Sequence, residues 1–291
     1  MATTKIIPGV LDLNEATSES GLKIPSGTEL NRPATDVAGM IRNNTNESSG
    51  GTASCEEYYN GTDWKILNSN CPADTLDIFG DGSCIAAYTF NNNVNDLSGN
   101  YSATPTNVTF TTGLFSEAGS FNGSTSKAVT GGNMSSTFLS AFSISIWINP
   151  SQVSSTAFFF GNCNTARDRG IGFLTTNNAA VEFAAYETGA PGPYFRATSP
   201  SSGLTTGNWF NLVGTWDGTA GTNSVKIYIN NSLSAQDTPR SSSIESTITP
   251  HIGNSGQAND LPYSGLIDQL RIFNKELSVS EINTLYNETR C

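Results

Sequence analysis

Charge is scarce in this chain. Asp, Glu, Lys and Arg make up 13% of its 291 residues, and the balance is acidic, with 25 carboxylates against 14 basic side chains and a formal net charge of −11. A nucleic-acid groove would have to be built against that overall field, which argues against such a partner. Histidine is nearly missing as well. His251 is the single candidate base for a Ser–His–acid triad, and ITPHIGN, with Ile248 and Ile252 around it, reads as a strand end with the imidazole at a loop or edge. No apolar run approaches the roughly 20 residues that a helix needs to span a bilayer. The start, MATTKIIPGV, has neither a basic n-region nor a long apolar stretch, so the expectation is cytosolic synthesis without membrane insertion. The five cysteines form no C-x-x-C pair and indicate no metal cluster. Cys71 and Cys84 bracket a tight polar loop and could pair in an oxidising environment, whereas Cys55, Cys163 and Cys291 are scattered. GNSGQAND lacks the Lys-Ser/Thr of a phosphate loop.

What the chain does have is Gly, Ser, Thr and Asn in its loops and short β-prone runs between them, the pattern of many strands joined by turns. The Asn-x-Ser/Thr triplets, at Asn60, Asn107, Asn122 and Asn287 among others, follow from that composition and carry no argument for glycosylation. Phe142, Ile144, Ile146 and Ile148 share one face of FSISIWINP, with Ser143, Ser145 and Trp147 on the other. In NWFNLVGTWDGTAGTNSVKIYINN, Phe210, Leu212 and Trp216 agree in parity, Asp217-Gly218 marks a turn, and Val225, Ile227 and Ile229 form a second stripe, so the segment reads as a hairpin.

The last β-prone run, GLIDQLRIF, carries Ile267, Leu270 and Ile272 close to Asp268 and Arg271. Ser278 then opens S-x-x-E with Glu281, a capping box followed by Ile282 and Leu285 on one helical face. The segment from Gly265 to Asn287 resembles the closing strand and short helix of laminin G-like, concanavalin A-type jelly rolls. The hairpin just described resembles that family's paired strands. IAAYTFNNNVNDLSG, AGSFNG and FSISIWINP resemble its opening strands, in the expected order. The resemblance covers 84–291 and implies an all-β fold, an antiparallel β-sandwich with one short helix near 279–287.

Residues 1–83 differ. Their apolar side chains come in brief clusters separated by Gly, Pro and polar stretches, too small to offset the entropy of ordering the segment alone. From Leu22 to Leu67 the order P-x-GT…RP…G-x-IR-x-NT…E-x-Y…W resembles a short module of bacteriophage tail-fibre and other virion structural proteins, matched at Pro25, Gly27, Thr28, Arg32, Pro33, Gly39, Ile41, Arg42, Asn44, Thr45, Glu57, Tyr59 and Trp64. IRNNT, EEYYNG and DWKIL read as a small β-meander with a hairpin turn at Asn60-Gly61. The expected organisation is a docking and oligomerisation arm at 1–21, a fibre-type module at 22–70, a junction at 71–83 and the jelly roll at 84–291. The resemblance to fibre modules implies a homotrimer and docking on other virion proteins, with Ile6, Ile7, Val10, Leu11, Leu22 and Ile24 as the buried set.

Concanavalin A-like folds include glycoside hydrolases, whose catalytic strand carries same-face carboxylates in E-x-D-x-(x)-E. This chain has no such run; Glu182, Glu187, Asp217, Asp260 and Asp268 are dispersed, and the expectation is a protein that is not an enzyme. No cofactor is required. Calcium is the one candidate, because laminin G-like folds often hold it at a rim and Asp77, Asp81, Asn95 and Asp96 offer oxygen ligands in turns, although Asp and Asn also form ordinary turns. Glycan binding needs aromatic platforms with amide or carboxylate partners in rim loops. GNCNTARDRG at 161–170, ETGAPGPYF at 187–195 and NSGQANDLPYS at 254–264 offer Arg167, Asp168, Arg169, Tyr194, Asn259, Asp260 and Tyr263. Together these features imply a phage fibre or appendage subunit, exposed on the virion, whose jelly roll binds a host-surface glycan or another receptor. A purely structural capsid decoration protein is the alternative, and a carbohydrate-active depolymerase a third.

Overall fold

The computed structural model of the chain describes residues 26–27, 40–44, 55–59, 64–66 and 75–288, apart from 133, 162–169, 187–192, 202, 241–248 and 257–260. The chain divides into two compact units, one of residues 1–73 with 289–291 and one of Asp74–Glu288. In the first, β2 (Ile41–Asn44), β3 (Cys55–Tyr59) and β4 (Trp64–Ile66) form an antiparallel meander with Ile41 opposite Tyr58 and Tyr59 opposite Trp64. These are the three strands expected from IRNNT, EEYYNG and DWKIL. A two-residue strand, β1 (Ser26–Gly27), adds to β2 in parallel, which the alternation did not foreshadow. Ile6, Ile7, Val10, Leu11, Leu22 and Ile24 lie outside the described residues.

The second unit is a sandwich of two antiparallel sheets. The eight-stranded sheet runs β17 (Ser232–Asp237), β16 (Val225–Ile229), β15 (Phe210–Trp216), β10 (Phe142–Pro150), β19 (Ser264–Phe273), β8 (Glu117–Asn122) and β7 (Thr109–Thr112), with β5 (Cys84–Tyr88) also paired to β19. The seven-stranded sheet runs β14 (Pro193–Thr198), β13 (Val181–Tyr186), β12 (Gly170–Thr175), β11 (Ala157–Gly161), β18 (His251–Ile252), β9 (Lys127–Val129) and β6 (Thr104–Thr106). A four-residue helix, α1 (Ser135–Phe138), precedes β10, and α2 (Val279–Tyr286) follows β19. His251 opens β18, the strand end expected, but β18 lies between β11 and β9, so the residue is not at a sheet edge.

The period-two stripes face inward. Phe142, Ile144, Ile146 and Ile148 of β10, Leu212 and Trp216 of β15, and Val225 and Ile227 of β16 join one buried cluster with Phe173, Phe183 and Phe195 from the opposite sheet. A one-residue slip would turn each stripe to the other face, at roughly 1.5–3 kcal/mol for every large apolar side chain taken out of the core. Gly214 shows how closely the sheets approach: a Cβ there would stand 2.7 Å from the Phe183 ring.

Ile267, Leu270 and Ile272 do not share a parity, yet all three are in the core. A bulge reconciles them. Ser145 pairs with Arg271 and Trp147 with Asp268, so Gln269 and Leu270 together oppose Ile146, and Gln269 takes φ 45°. The bulge also marks where β19 changes neighbour, from β8 at Ser264–Ile267 to β5 at Leu270–Phe273. Asp268 and Arg271 are thereby both turned away from the core, onto the outer face of the sheet.

That face is covered. α2 begins with the expected capping box, Ser278 accepting from the Glu281 amide and Glu281 from the Ser278 amide. Its Ile282 and Leu285 pack on Ala87, Val213, Tyr228 and Phe273, joined by Leu76, Ile78 and Phe79. Residues 76–79, expected as junction, thus pack on the sandwich. Beneath the helix end, Arg271 Nη1 meets Glu288 at 2.7 Å with both side chains buried.

Candidate functional site

Two of the three rim loops of the sequence spring from adjacent strand ends. Residues 162–169 join β11 to β12 and 187–192 join β13 to β14, and the register Gly170 opposite Tyr186 puts both connections at the same end of the seven-stranded sheet. The third segment reaches that end as well: at Gly256 a Cβ would lie 3.6 Å from the Gly161 carbonyl oxygen. Arg167, Asp168, Arg169, Asn259 and Asp260 lie outside the described residues.

On the outer face next to this end stands a polar group built by strand alternation. Glu182 and Tyr186 project from the same face of β13, and Arg196 from the neighbouring β14, where it pairs with Ala184. The Tyr186 hydroxyl donates to Glu182 Oε1 at 2.9 Å, and Arg196 Nε lies 3.5 Å from Glu182 Oε2. The Arg196 guanidinium also stands 5.9 Å from the centre of the Tyr186 ring. Partial burial is the largest single influence and works against the arginine's charge, but Glu182, Tyr186 and Asp237 together outweigh it and the pKa is raised. Glu182 is buried while the Arg196 side chain is 42% exposed, so the cluster offers solvent a fixed guanidinium. Phe158, Leu174 and Ala184 floor the same face, with Leu261 packed on them. The Arg196 amide donates to Asp237 on β17 at 2.6 Å, tying the edges of the two sheets together. Tyr186 and Arg196 were absent from the sequence candidates: alternation in VEFAAY puts Tyr186 on the face of Glu182, but alternation in PYFRAT would put Arg196 on the face of Tyr194, which is buried.

Tyr194 and Tyr263 are not rim platforms. Both are inside: Tyr194 packs edge-on to Trp216 with ring centres 6.1 Å apart, and Tyr263 edge-on to Phe159 at 5.2 Å. Pro193 begins β14 instead of ending a loop, which an edge strand tolerates, and the register shift at Ala185/Tyr186 lets Tyr194 and Phe195 both turn inward. Tyr263 fits because Gly265 has no side chain; a Cβ there would stand 2.6 Å from the Tyr263 hydroxyl.

The calcium candidates serve as turn and ion-pair residues. Asp96 accepts from the backbone amides of Ala87, Ser98 and Tyr101 and from the Ser98 hydroxyl. Asp77 accepts from the Gly82 amide at 2.7 Å. Asp81 accepts from Ser83 and pairs with Lys275, whose hydrogen bond pulls the Asp81 pKa down to about 2. Asn95 is exposed, its amide bonded to Asn93. Among the described residues no group of three or more His, Cys, Asp or Glu stands together as a cation site. Cys84 is a buried free thiol, donating weakly to the Ala86 carbonyl, with its pKa pushed up to about 12 by burial; Cys71 lies outside the described residues.

The described helices include none long and apolar enough to cross a membrane. No curated protein matches the chain. Among solved structures it is similar to domain 4 of AbnA, a GH43 extracellular arabinanase from Geobacillus stearothermophilus, in complex with arabinotriose. There the identity is 23% and the TM-score 0.55, over 70% of this chain and 98% of that one. It is similar also to the botulinum neurotoxin serotype C1 binding domain, at 19% identity and a TM-score of 0.57 over 72% of this chain and 52% of the other. The binding domain of botulinum neurotoxin DC in complex with SialylT gives 19% identity and a TM-score of 0.55, over 71% and 51%. The chain thus matches about half the length of each neurotoxin domain, and these likenesses show the fold. The model of the concanavalin A-like lectin/glucanases superfamily matches residues 121–283. With that match over more than half of its length, and with the two-sheet sandwich that carries it, the chain belongs to the concanavalin A-like lectin/glucanases superfamily.

Proposed function

We propose that this protein is a fibre or appendage subunit of a bacteriophage virion, held as a homotrimer and docked on other virion proteins through residues 1–70, whose jelly roll binds a host-surface glycan. The observation that carries the binding role is the gathering of three rim segments at one end of the seven-stranded sheet, beside the Glu182–Tyr186–Arg196 group. Loops can vary there without loss of the core, and a fixed guanidinium with a tyrosine ring is a common means of holding sugar hydroxyls. The arabinotriose complex of the AbnA domain supports a carbohydrate partner for this sandwich, and the resemblance of Leu22–Leu67 to fibre modules supports the virion. Binding is reversible and not hydrolytic in this reading, because Glu182 is engaged by an arginine and a tyrosine instead of facing a second carboxylate across a glycosidic bond.

Decoration of the capsid is the second reading, favoured by one finding: Tyr194 and Tyr263, two aromatic candidates for the rim, are buried. Deleting the gene separates the two. Adhesion predicts particles of normal stability that adsorb poorly; decoration predicts particles that adsorb but break at lower temperature or osmotic stress.

A further inference from the structure

The outer face of the eight-stranded sheet holds a row of polar atoms with no partner among the described residues. Trp147 on β10 lies directly between Asn211 on β15 and Asp268 on β19 in the strand register. The Trp147 indole N–H, both amide atoms of Asn211 and Asp268 Oδ1 are buried and make no hydrogen bond in the structure. Buried polar atoms are almost always satisfied, so five such atoms on one face call for a polar occupant. Asn231 Oδ1 is the fifth. Asn230 and Asn231, both at positive φ in the β16–β17 turn, bring it there: the Asn230 side chain accepts from the Asn211 backbone N–H, and Asn231 Nδ2 donates to Asn283 of α2.

One side of this row is aromatic. Tyr286, the last residue of α2, lies nearly parallel to Trp147, with 13° between the rings and 5.8 Å between their centres, while Phe115 meets the indole edge. Tyr286 is 36% exposed, unusual for a large side chain stacked on a buried indole. It is held at a helix end, where a small rotation would remove it from the stack without disturbing Ile282 or Leu285.

We propose that this is a second carbohydrate site, in which a neutral sugar ring displaces Tyr286 from Trp147 and its hydroxyls bond Asn211, Asn231 and Asp268. A flat aromatic face edged by amides and a carboxylate suits a polyhydroxylated ring, whose hydroxyls each donate and accept. The chain's net negative charge selects against acidic sugars. The site lies on the outer face of a different sheet from Glu182, Tyr186 and Arg196, so the two stand or fall separately.

The test is calorimetric titration of the full chain with maltotriose and with chitotriose at millimolar concentration, with tryptophan fluorescence read in parallel. At least one sugar binds and shifts the emission, and Tyr286→Ala tightens binding severalfold by removing the competing ring. Asn211→Leu, close in volume, abolishes binding; should it melt early, Trp147→Phe, which keeps a ring and removes the indole N–H, weakens binding by about tenfold. The titrations are repeated in the Arg196→Ala background, which lowers any contribution from the loop-bearing end of the other sheet, and the fluorescence shift persists there. The proposal is overturned if wild type and Tyr286→Ala both ignore the two sugars, in which case ordered water partners the row, or if binding survives Asn211→Leu and Trp147→Phe alike.

Discussion

Asp268 makes the stability of this sandwich depend on pH in a direction opposite to that of most surface carboxylates. Its side chain is fully buried, and burial raises its pKa from 3.8 to about 7 despite the amides of Phe115, Leu114 and Gln269, with the nearby Glu288 pushing the same way. Leu114 and Phe115 each donate to Oδ2 at 3.0 Å. Because the folded pKa lies above the unfolded one, the native state binds the extra proton between pH 4 and 7, and stability falls as pH rises through that window. A displacement of about three pKa units corresponds to about 4 kcal/mol between the two ends of the window. Glu288, also raised by burial against the pull of Arg271, contributes with the same sign, whereas Asp81 and Glu281 are lowered and lose their contribution only in more acid solution. Guanidinium denaturation at pH 4.5, 6 and 8 should give midpoints that decline with pH. Asp268→Asn keeps an acceptor for the two amides without the charge, and should flatten most of that decline and exceed wild type at pH 8. A wild-type midpoint that climbs across the window, or an Asn variant that keeps the full slope, would refute the reasoning.

Tyr263→Ala removes a fully buried ring packed on Phe159 and Phe121, and should cost about 3–5 kcal/mol in denaturant titration. A melting temperature unchanged from wild type would contradict the burial. Ser278→Ala removes the oxygen that caps α2 and should cost about 1 kcal/mol, read as a lowered midpoint with an unchanged m-value. Arg196→Ala breaks a half-exposed ion pair and should cost at most about 1 kcal/mol in stability. The same change should weaken glycan capture by about 1–2 kcal/mol if Arg196 is one of the anchors.

The jelly roll was legible because its strands alternate cleanly and its turns carry Asp-Gly and a capping box, local signals that tertiary packing left intact in β10, β15, β16 and α2. The bulge at Gln269 was hidden, because one extra residue restores an inward face that no parity rule anticipates; the mixed parity of Ile267, Leu270 and Ile272 was its only trace. Tyr194 and Tyr263 were misplaced for the same kind of reason. Pro-Tyr-Phe and Pro-Tyr-Ser-Gly look like loop chemistry, and it takes an edge strand that tolerates Pro193 and a side-chain-free Gly265 to make them core. Arg196 and Tyr186 needed the register of β13 with β14, which joins residues ten apart across a turn that sequence alone leaves open. At Asp81 and Asp96 the sequence leaves two uses open, because turn-forming carboxylates accept backbone and lysine hydrogens with the same oxygens a cation would use.

Reversible glycan recognition is proposed for the loop-bearing end of the seven-stranded sheet. Its most direct measurement is binding of the full chain, beside Arg196→Ala, to an array of bacterial surface glycans, with the retained glycan eluted and weighed by mass spectrometry. The expected result is capture of at least one glycan class, weaker capture by the variant, and recovery of the glycan at its original mass. Capture of none, equal capture by both proteins, or recovery of shortened fragments would contradict it.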